Sequence, residues 1–203
     1  MKAKILITAI LSLFLFTDCE DSFRDEPLAP LEFKGSMWEF FNSNPRTWGL
    51  TCQLIERAGL VGLIDGKDPE YPQITFFAPD VLCLSVYLNE HSYESIEEIP
   101  EEDCVDLVLS YIIPERSMRE QFGFEEKGTL EGGSEKFTLN NLKLRIYQIK
   151  VPFEGMEDIG TTALGIHFKD IGFIYNVAVA DYRTDNGIVH ALATNNKFEN
   201  PLK

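Results

Sequence analysis

Few side chains in this 203-residue chain could do chemistry: three histidines, four cysteines and several groups of carboxylates. His190 lies in the apolar segment Ile188-Val189-His190, and no Ser, Cys or carboxylate accompanies it at the spacing of a base–nucleophile pair. It reads as a hydrogen-bonded structural imidazole. His91 and His167 have no partner at metal-ligand spacing. Cys52, Cys83 and Cys104 stand in apolar contexts with no CxxC pair and no Cys/His cluster, so they read as small buried hydrophobes. One disulfide among them stays open for an oxidising compartment, and nothing in the sequence selects the pair. Glu97, Glu98, Glu101, Glu102 and Asp103 have the oxygen chemistry of a Ca²⁺ site but not the arrangement of an EF-hand. They read as solvated carboxylates at a helix start, where the helix dipole favours them. Gly132-Gly133 lacks the Lys-Ser/Thr of a phosphate loop and reads as a hairpin turn. Trp38, Trp48, Tyr71, Tyr87 and Tyr93 could stack on sugar rings, although Trp38 and Trp48 fall in helices and so read as core. No metal, no cofactor and no catalytic residue is expected, and the chain is expected not to be an enzyme.

Charge narrows the partners. Lys and Arg number 18 against 33 Asp and Glu, a net charge of -15. Nucleic acid and anionic lipid headgroups both call for basic footprints, so neither is an expected direct partner. At the N-terminus, Lys2 and Lys4 precede an apolar run over residues 5–16, too short to span a bilayer and of the length of a signal-peptide core. Residues 1–18 are therefore read as a leader and residues 19–35, acidic and carrying Pro27 and Pro30, as a tether. At about 3.3 Å per residue its central stretch from Glu20 to Lys34 reaches about 50 Å at full extension.

The elements that must position the remaining residues begin at Ser36. Ser36-Met37-Trp38-Glu39 has the form of a capping box, and Pro45 closes that helix near Asn44. Helical spacing of Leu50, Leu54, Ile55 and Ala58 predicts a second helix over 47–58, stopped by Gly59, with a third short piece over 60–64. A buried strand over 74–77 is followed by a helix over 81–88, an acidic loop, and a helix over 101–110 with Val105, Val108 and Leu109 inward. Thereafter the pattern is β: segments 129–130 and 137–139 flanking Gly132-Gly133, then 142–151 with Leu142, Leu144, Ile146 and Gln148 on one face, 166–168, 174–180 and 187–193. Helices first and strands later indicate an α+β domain over residues 36–203.

Two segments about a hundred residues apart carry a family resemblance. Thr75-Phe76-Phe77-Ala78-Pro79-Asp80 and Asn186-Gly187-Ile188-Val189-His190 resemble the first and second signature motifs of fasciclin-like (FAS1) domains. Leu109-Ser110-Tyr111-Ile112-Ile113-Pro114 is similar to that family's Tyr-His stretch, and Arg57-Ala58-Gly59-Leu60 to its helix-to-strand approach. The resemblance implies a FAS1-like β-wedge or sandwich of about seven strands with several N-terminal helices. Three positions depart from the pattern: Val81, Ile112 in place of the His, and Ala193. Animal members of that family use the neighbourhood of the Tyr-His stretch for integrin contact, and the second departure means that the resemblance carries no such role onto Tyr111. Read physically, Pro79 marks a strand exit, Asp80 is placed to cap the next helix, and Asn186-Gly187 is a turn pair tolerant of positive φ.

Leu15-Phe16-Thr17-Asp18-Cys19 resembles a loose lipobox of the Bacteroidetes type, with acidic Glu20-Asp21 following as in surface-exported lipoproteins of that lineage. Asp18 stands where a small residue is usual, leaving acylation (palmitate or a related chain) at Cys19 and simple cleavage as two outcomes. The resemblances together imply an exported, lipid-anchored, non-catalytic adhesion or interaction module of the outer membrane or cell surface. It would touch the membrane through its N-terminal lipid alone, and its partner would be an extracellular protein or a glycan. The alternative is an accessory glycan-binding lipoprotein of a carbohydrate-uptake system.

Overall fold

In a computed structural model of the chain, residues 31–127, 129–156, 160–194 and 197–203 are described. The leader over 1–18, Cys19 and the tether as far as residue 30 lie outside the described residues. Helix α1 (Met37–Ser43) opens with reciprocal capping: the Ser36 hydroxyl accepts from the Glu39 N–H, and the Glu39 carboxylate accepts from the Ser36 N–H at 2.9 Å. Helix α2 (Pro45–Arg57) starts two residues before the expected Thr47, because proline at the first helical position has no N–H to leave unpaired. It buries Trp48, Thr51, Leu54 and Ile55, and Gly59 leaves it at φ +69°. A single turn, α3 (Val61–Ile64), leads to strand β1 (Ile74–Ala78), whose five residues are all buried. Asp80 caps α4 (Val81–Glu90), accepting from the Leu82 and Cys83 N–H groups at 3.0 and 2.8 Å.

Helix α5 (Glu101–Leu109) forms where expected but turns a different face inward. Cys104, Leu107 and Val108 are buried, whereas Val105 and Leu109 are only half-buried. The i, i+3, i+4 stripe starting at Cys104 leads directly to Tyr111, which is fully buried, and that continuation decides the rotation.

The described residues form seven strands: β1, β2 (Ile112–Ile113), β3 (Ser134–Phe137), β4 (Lys143–Lys150), β5 (Thr162–Phe168), β6 (Phe173–Thr184) and β7 (Gly187–Leu192). They are hydrogen-bonded in the order β2-β1-β7-β6-β5-β4-β3, antiparallel except for β1 beside β7. The fold is therefore α+β with helices leading, as the pattern predicts. Strand β6 belongs to both halves of the sheet. Its first residues, 173–176, pair with β5, and the stretch 177–184 pairs with β7 through two register shifts.

Three further differences from the sequence reading have physical causes. Gly132-Gly133 is not a hairpin tip. Glu125 pairs with Gly132, and Gly133 donates to the Phe124 carbonyl, so both glycines are on the returning strand, past the tip. There their φ values of +76° and +80° let Gly132 pass close to the Phe124–Glu126 backbone and Gly133 close over Ile146 and Tyr147. Strand β4 is buried on both faces at Leu144–Gln148, because the returning segment covers Arg145, which donates to the Gly132 carbonyl at 2.7 Å. Residues 31–35, read as the end of the tether, lie along β6: Arg183 donates to the Leu31 carbonyl at 2.6 Å and Phe33 to the Arg183 carbonyl at 2.8 Å.

The helices cover the sheet over one continuous apolar core. Phe41 of α1 meets Phe76 of β1 edge-on at 5.9 Å and Trp48 of α2 at 5.1 Å. Burying such a ring contributes roughly 1.5–3 kcal/mol. The Thr51 hydroxyl donates to the Pro79 carbonyl at 2.6 Å, tying α2 to the exit of β1. Phe198, fully buried, seals the core by packing on Tyr111 and Tyr87.

Candidate functional site

The two motif segments are neighbours in space. β1 and β7 run parallel with Thr75 opposite Ile188, Phe76 opposite Val189 and Phe77 opposite His190. Gly187 is required at the start of this pair, because a Cβ there would stand 2.2 Å from the Ile74 carbonyl oxygen. Neither Asn186 nor Gly187 has a positive φ, so their conformational tolerance is not what places them here. The tip of the β6–β7 turn is Asp185-Asn186.

Asn186 acts as a buried bracket. Its Oδ1 accepts from the Met37 N–H at 2.7 Å, and its Nδ2 donates to the Ile64 carbonyl at 2.9 Å. One side chain thus ties the start of α1 and the end of α3 to the β6–β7 turn. Gly66, at φ +71°, lies against it where a Cβ would stand 2.8 Å from the Asn186 Cβ. Beside it the Ser36 hydroxyl donates to Asp65, whose carboxyl is held below its ordinary pKa by Lys67 first and by Ser36 second.

His190 is wholly buried, stacked at 5.1 Å on Phe77. Its Nδ1 accepts from the Asp181 N–H at 3.1 Å, so Nε2 carries the proton and donates to the Ser117 carbonyl at 3.2 Å. The Asp181 N–H is free to do so because Asp181, at φ +69°, sits at a register shift in β6. Burial pushes the imidazole pKa down to about 4, opposed by the Asp181 carboxylate. A neutral ring with both nitrogens engaged has no lone pair left for a substrate or a metal. Ser117 in turn donates its N–H to Thr75 Oγ1 at 2.8 Å, and Thr75 donates to the Glu115 carbonyl at 2.7 Å. The polar atoms of both motifs are therefore spent inside the protein.

The other sequence candidates are dispersed. Tyr111 is fully buried and donates its hydroxyl to the Glu199 carbonyl at 2.8 Å. Ile188 and Val189 are core residues, and Ala78 and Pro79 are buried at the end of β1. Cys52, Cys83 and Cys104 are free thiols, which burial pushes to about 11, 12 and 11 respectively, so they are protonated and unreactive at neutral pH. Of the acidic run, Glu101 pairs with Arg57 at 3.3 Å and Asp103 with Lys203. Among the described residues no group of three or more His, Cys, Asp or Glu could hold a metal ion. His91 bonds Glu199 at 3.1 Å, and His167 is buried opposite Arg145. Trp48 and Tyr87 are core, while Trp38, Tyr71 and Tyr93 are half-buried.

A surface feature not foreseen from the sequence opens beside the motif seam. A recess of about 360 Å³ is lined by Glu32, Phe33, Gln73, Arg116, Arg183 and Asp185, among others. Arg116 is fixed at its base: Nη1 donates to the Thr184 carbonyl at 2.7 Å, the Gly187 carbonyl at 3.1 Å and Gln73 Oε1 at 3.3 Å. The Phe33 ring is held edge-on against Phe40 at 5.7 Å. The lining comes from four separate stretches of chain, each unremarkable alone, and only the pairing of residues 31–33 with β6 assembles it. Elsewhere, exposed apolar side chains follow the end of β4 at Val151, Phe153 and Met156.

No protein-family model matches this sequence, and no curated protein matches it. A solved structure of a FAS1 domain pair from the insect cell adhesion molecule fasciclin I is similar to this chain, with a TM-score of 0.49 and 14% identity. The match covers 80% of this chain and 46% of that one, so the chain spans less than half the length of that domain pair.

Proposed function

We propose that this chain is a non-catalytic interaction module of a cell surface, fasciclin-like in its folded part and held to the membrane by an acyl chain on Cys19. The observation that carries the reading is the meeting of the two motif-like segments. Far apart in sequence, they lie in parallel register as β1 and β7, with Asn186, Thr75 and His190 all satisfied internally. Residues spent in this way maintain a scaffold, and contact with a partner then falls to the exposed surface. The adhesion role follows from the motif resemblance, and the anchor from the resemblance of residues 15–21 to a lipoprotein signal.

Two measurements test it together. Mass spectrometry of the mature N-terminus with protease accessibility on intact cells is expected to find an acylated Cys19 and surface exposure. Cells lacking the gene are expected to lose surface attachment or a cross-linked extracellular partner. An unmodified N-terminus would remove the anchor. Unchanged attachment with no partner captured would remove the contact role, and robust turnover in a polysaccharide and ester hydrolase screen would overturn the non-catalytic assignment.

A further inference from the structure

The recess beside the motif seam has a particular chemical make-up. Arg116 and Arg183 supply two guanidinium groups, and Glu32 and Asp185 supply two carboxylates. None of the four forms a side-chain ion pair among the described residues, although 33 acidic residues are available in the chain. Opposite charges line one hollow without closing on each other. Arg116 is held away from the acids because Nη1 is anchored on two backbone carbonyls and on Gln73, while the residue stays exposed. Gln73 is fixed as well, since its Nε2 donates to the Asp185 carbonyl at 3.1 Å. Phe33 adds an apolar ring held in place by Phe40.

The ligand class follows from the balance of these groups. The four charged side chains sum to zero, and the whole chain carries -15. An anion would gain from two arginines and lose against two adjacent carboxylates and the surrounding field, and a cation meets the converse at the arginines. A neutral group that both donates and accepts satisfies all four at once: hydroxyls accept from the guanidinium N–H groups and donate to the carboxylate oxygens. A ring with one apolar face also suits Phe33. The volume of about 360 Å³ lies at the small end of ligand pockets, roughly 300–1,000 Å³, and suits one sugar ring rather than a long chain.

We propose that this recess binds a neutral saccharide, with Arg116 and Arg183 as donors, Glu32 and Asp185 as acceptors, and Phe33 beneath the ring. The assignment is independent of the anchor and of the adhesion role, since it concerns only what the folded domain takes up.

Saturation-transfer NMR on the full chain, in a detergent without a sugar headgroup, tests it. The probes are the methyl glycosides of glucose, galactose and mannose, with cellobiose and maltose, and methyl glucuronide as the anionic arm. At least one neutral glycoside is expected to bind saturably. Its affinity is expected to fall about tenfold in Arg183→Ala and in Asp185→Ala, one charge-assisted hydrogen bond each, and to be unchanged by added salt. Both residues are exposed, and retained far-UV circular dichroism would establish that the variants fold. No transfer to any neutral probe, or transfer that both substitutions leave intact, would overturn the proposal. Binding of the glucuronide alone, abolished by salt, would also overturn it and reassign the arginines to an anion. Unchanged attachment with no partner captured on intact cells, with saccharide binding retained, would sink the contact-module reading and leave this one standing.

Discussion

Acid should destabilise this protein through His190, and the size of the effect can be worked out. The unfolded imidazole titrates near 6.5, and burial brings the folded one to about 4. Between those values the unfolded chain binds a proton that the native chain does not, so stability is lost as pH falls through the window. Above 6.5 both states are neutral and the stability is fully present; below 4 both are charged and the loss is complete. At about 1.36 kcal/mol per pH unit the loss is about 3 kcal/mol, or roughly 10 °C in Tm for a domain of this size. The geometry gives the cause. A proton on Nδ1 would face the Asp181 N–H that it now accepts, in a site without water access. The Asp181 carboxylate, 4.0 Å away, offsets only part of that cost. Carboxylates titrate over the same range, so the assay must subtract them. Urea unfolding followed by fluorescence of the buried Trp48 would be run from pH 7.5 to 4 on the native protein and on His190→Asn. The variant keeps an acceptor for the Asp181 N–H but leaves the Ser117 carbonyl unpaired, at a cost of about 1–3 kcal/mol near neutrality. Since the variant has nothing to protonate there, the gap between the two proteins should close by about 3 kcal/mol, and they should converge or cross near pH 4. A gap that stays constant to within about 0.5 kcal/mol across the range would refute the buried neutral imidazole.

Other consequences can be checked on the same material. Asn186→Ala should cost about 2–5 kcal/mol in urea unfolding, because it strands the buried Met37 N–H and Ile64 carbonyl together; a loss under 1 kcal/mol would mean that water replaces the bracket. Cys83 and Cys104 should resist a thiol reagent at pH 8 until the protein is unfolded, and labelling of either at the rate of a free thiol would contradict their burial. Phe198→Ala should cost about 3–5 kcal/mol, since it empties the space between Tyr87 and Tyr111; an unchanged Tm would show that the C-terminal segment does not seal the core.

Local rules account for what the sequence discloses of the fold. The capping box at Ser36, the cap at Asp80 and the stops at Pro45 and Gly59 are each determined within four or five residues, and each forms. What the sequence conceals depends on contacts from afar. The rotation of α5 is decided by Tyr111 joining its stripe, and burial of both faces of β4 by a segment that returns over Arg145. The placement of Gly132-Gly133 is the instructive case. Two adjacent glycines satisfy the rule for a tight turn, yet here the same freedom serves close backbone crossings, Gly132 against Phe124–Glu126 and Gly133 against Ile146 and Tyr147. Composition identifies a position that needs glycine, and only the fold says which need it is.

The same distinction separates the motif seam from the recess beside it. Gly187 is confined by the Ile74 carbonyl, Asn186 by two backbone partners, and His190 by a donor on one side and an acceptor on the other. Each of these positions admits few residue types, and such positions make a segment readable without a structure. Arg116, Arg183, Asp185 and Glu32 are exposed and obey no local rule, so nothing in their own neighbourhoods distinguishes them from other surface charges. Their relation exists only because the seam brings β1 beside the β6–β7 hairpin and residues 31–33 lie alongside β6. The scaffold is therefore the legible part and the surface it builds is not. A substitution in the seam should be read out as stability, and one in the recess as binding with stability unchanged. If Arg183→Ala lowered the melting temperature as far as Asn186→Ala does, that division of roles would fail.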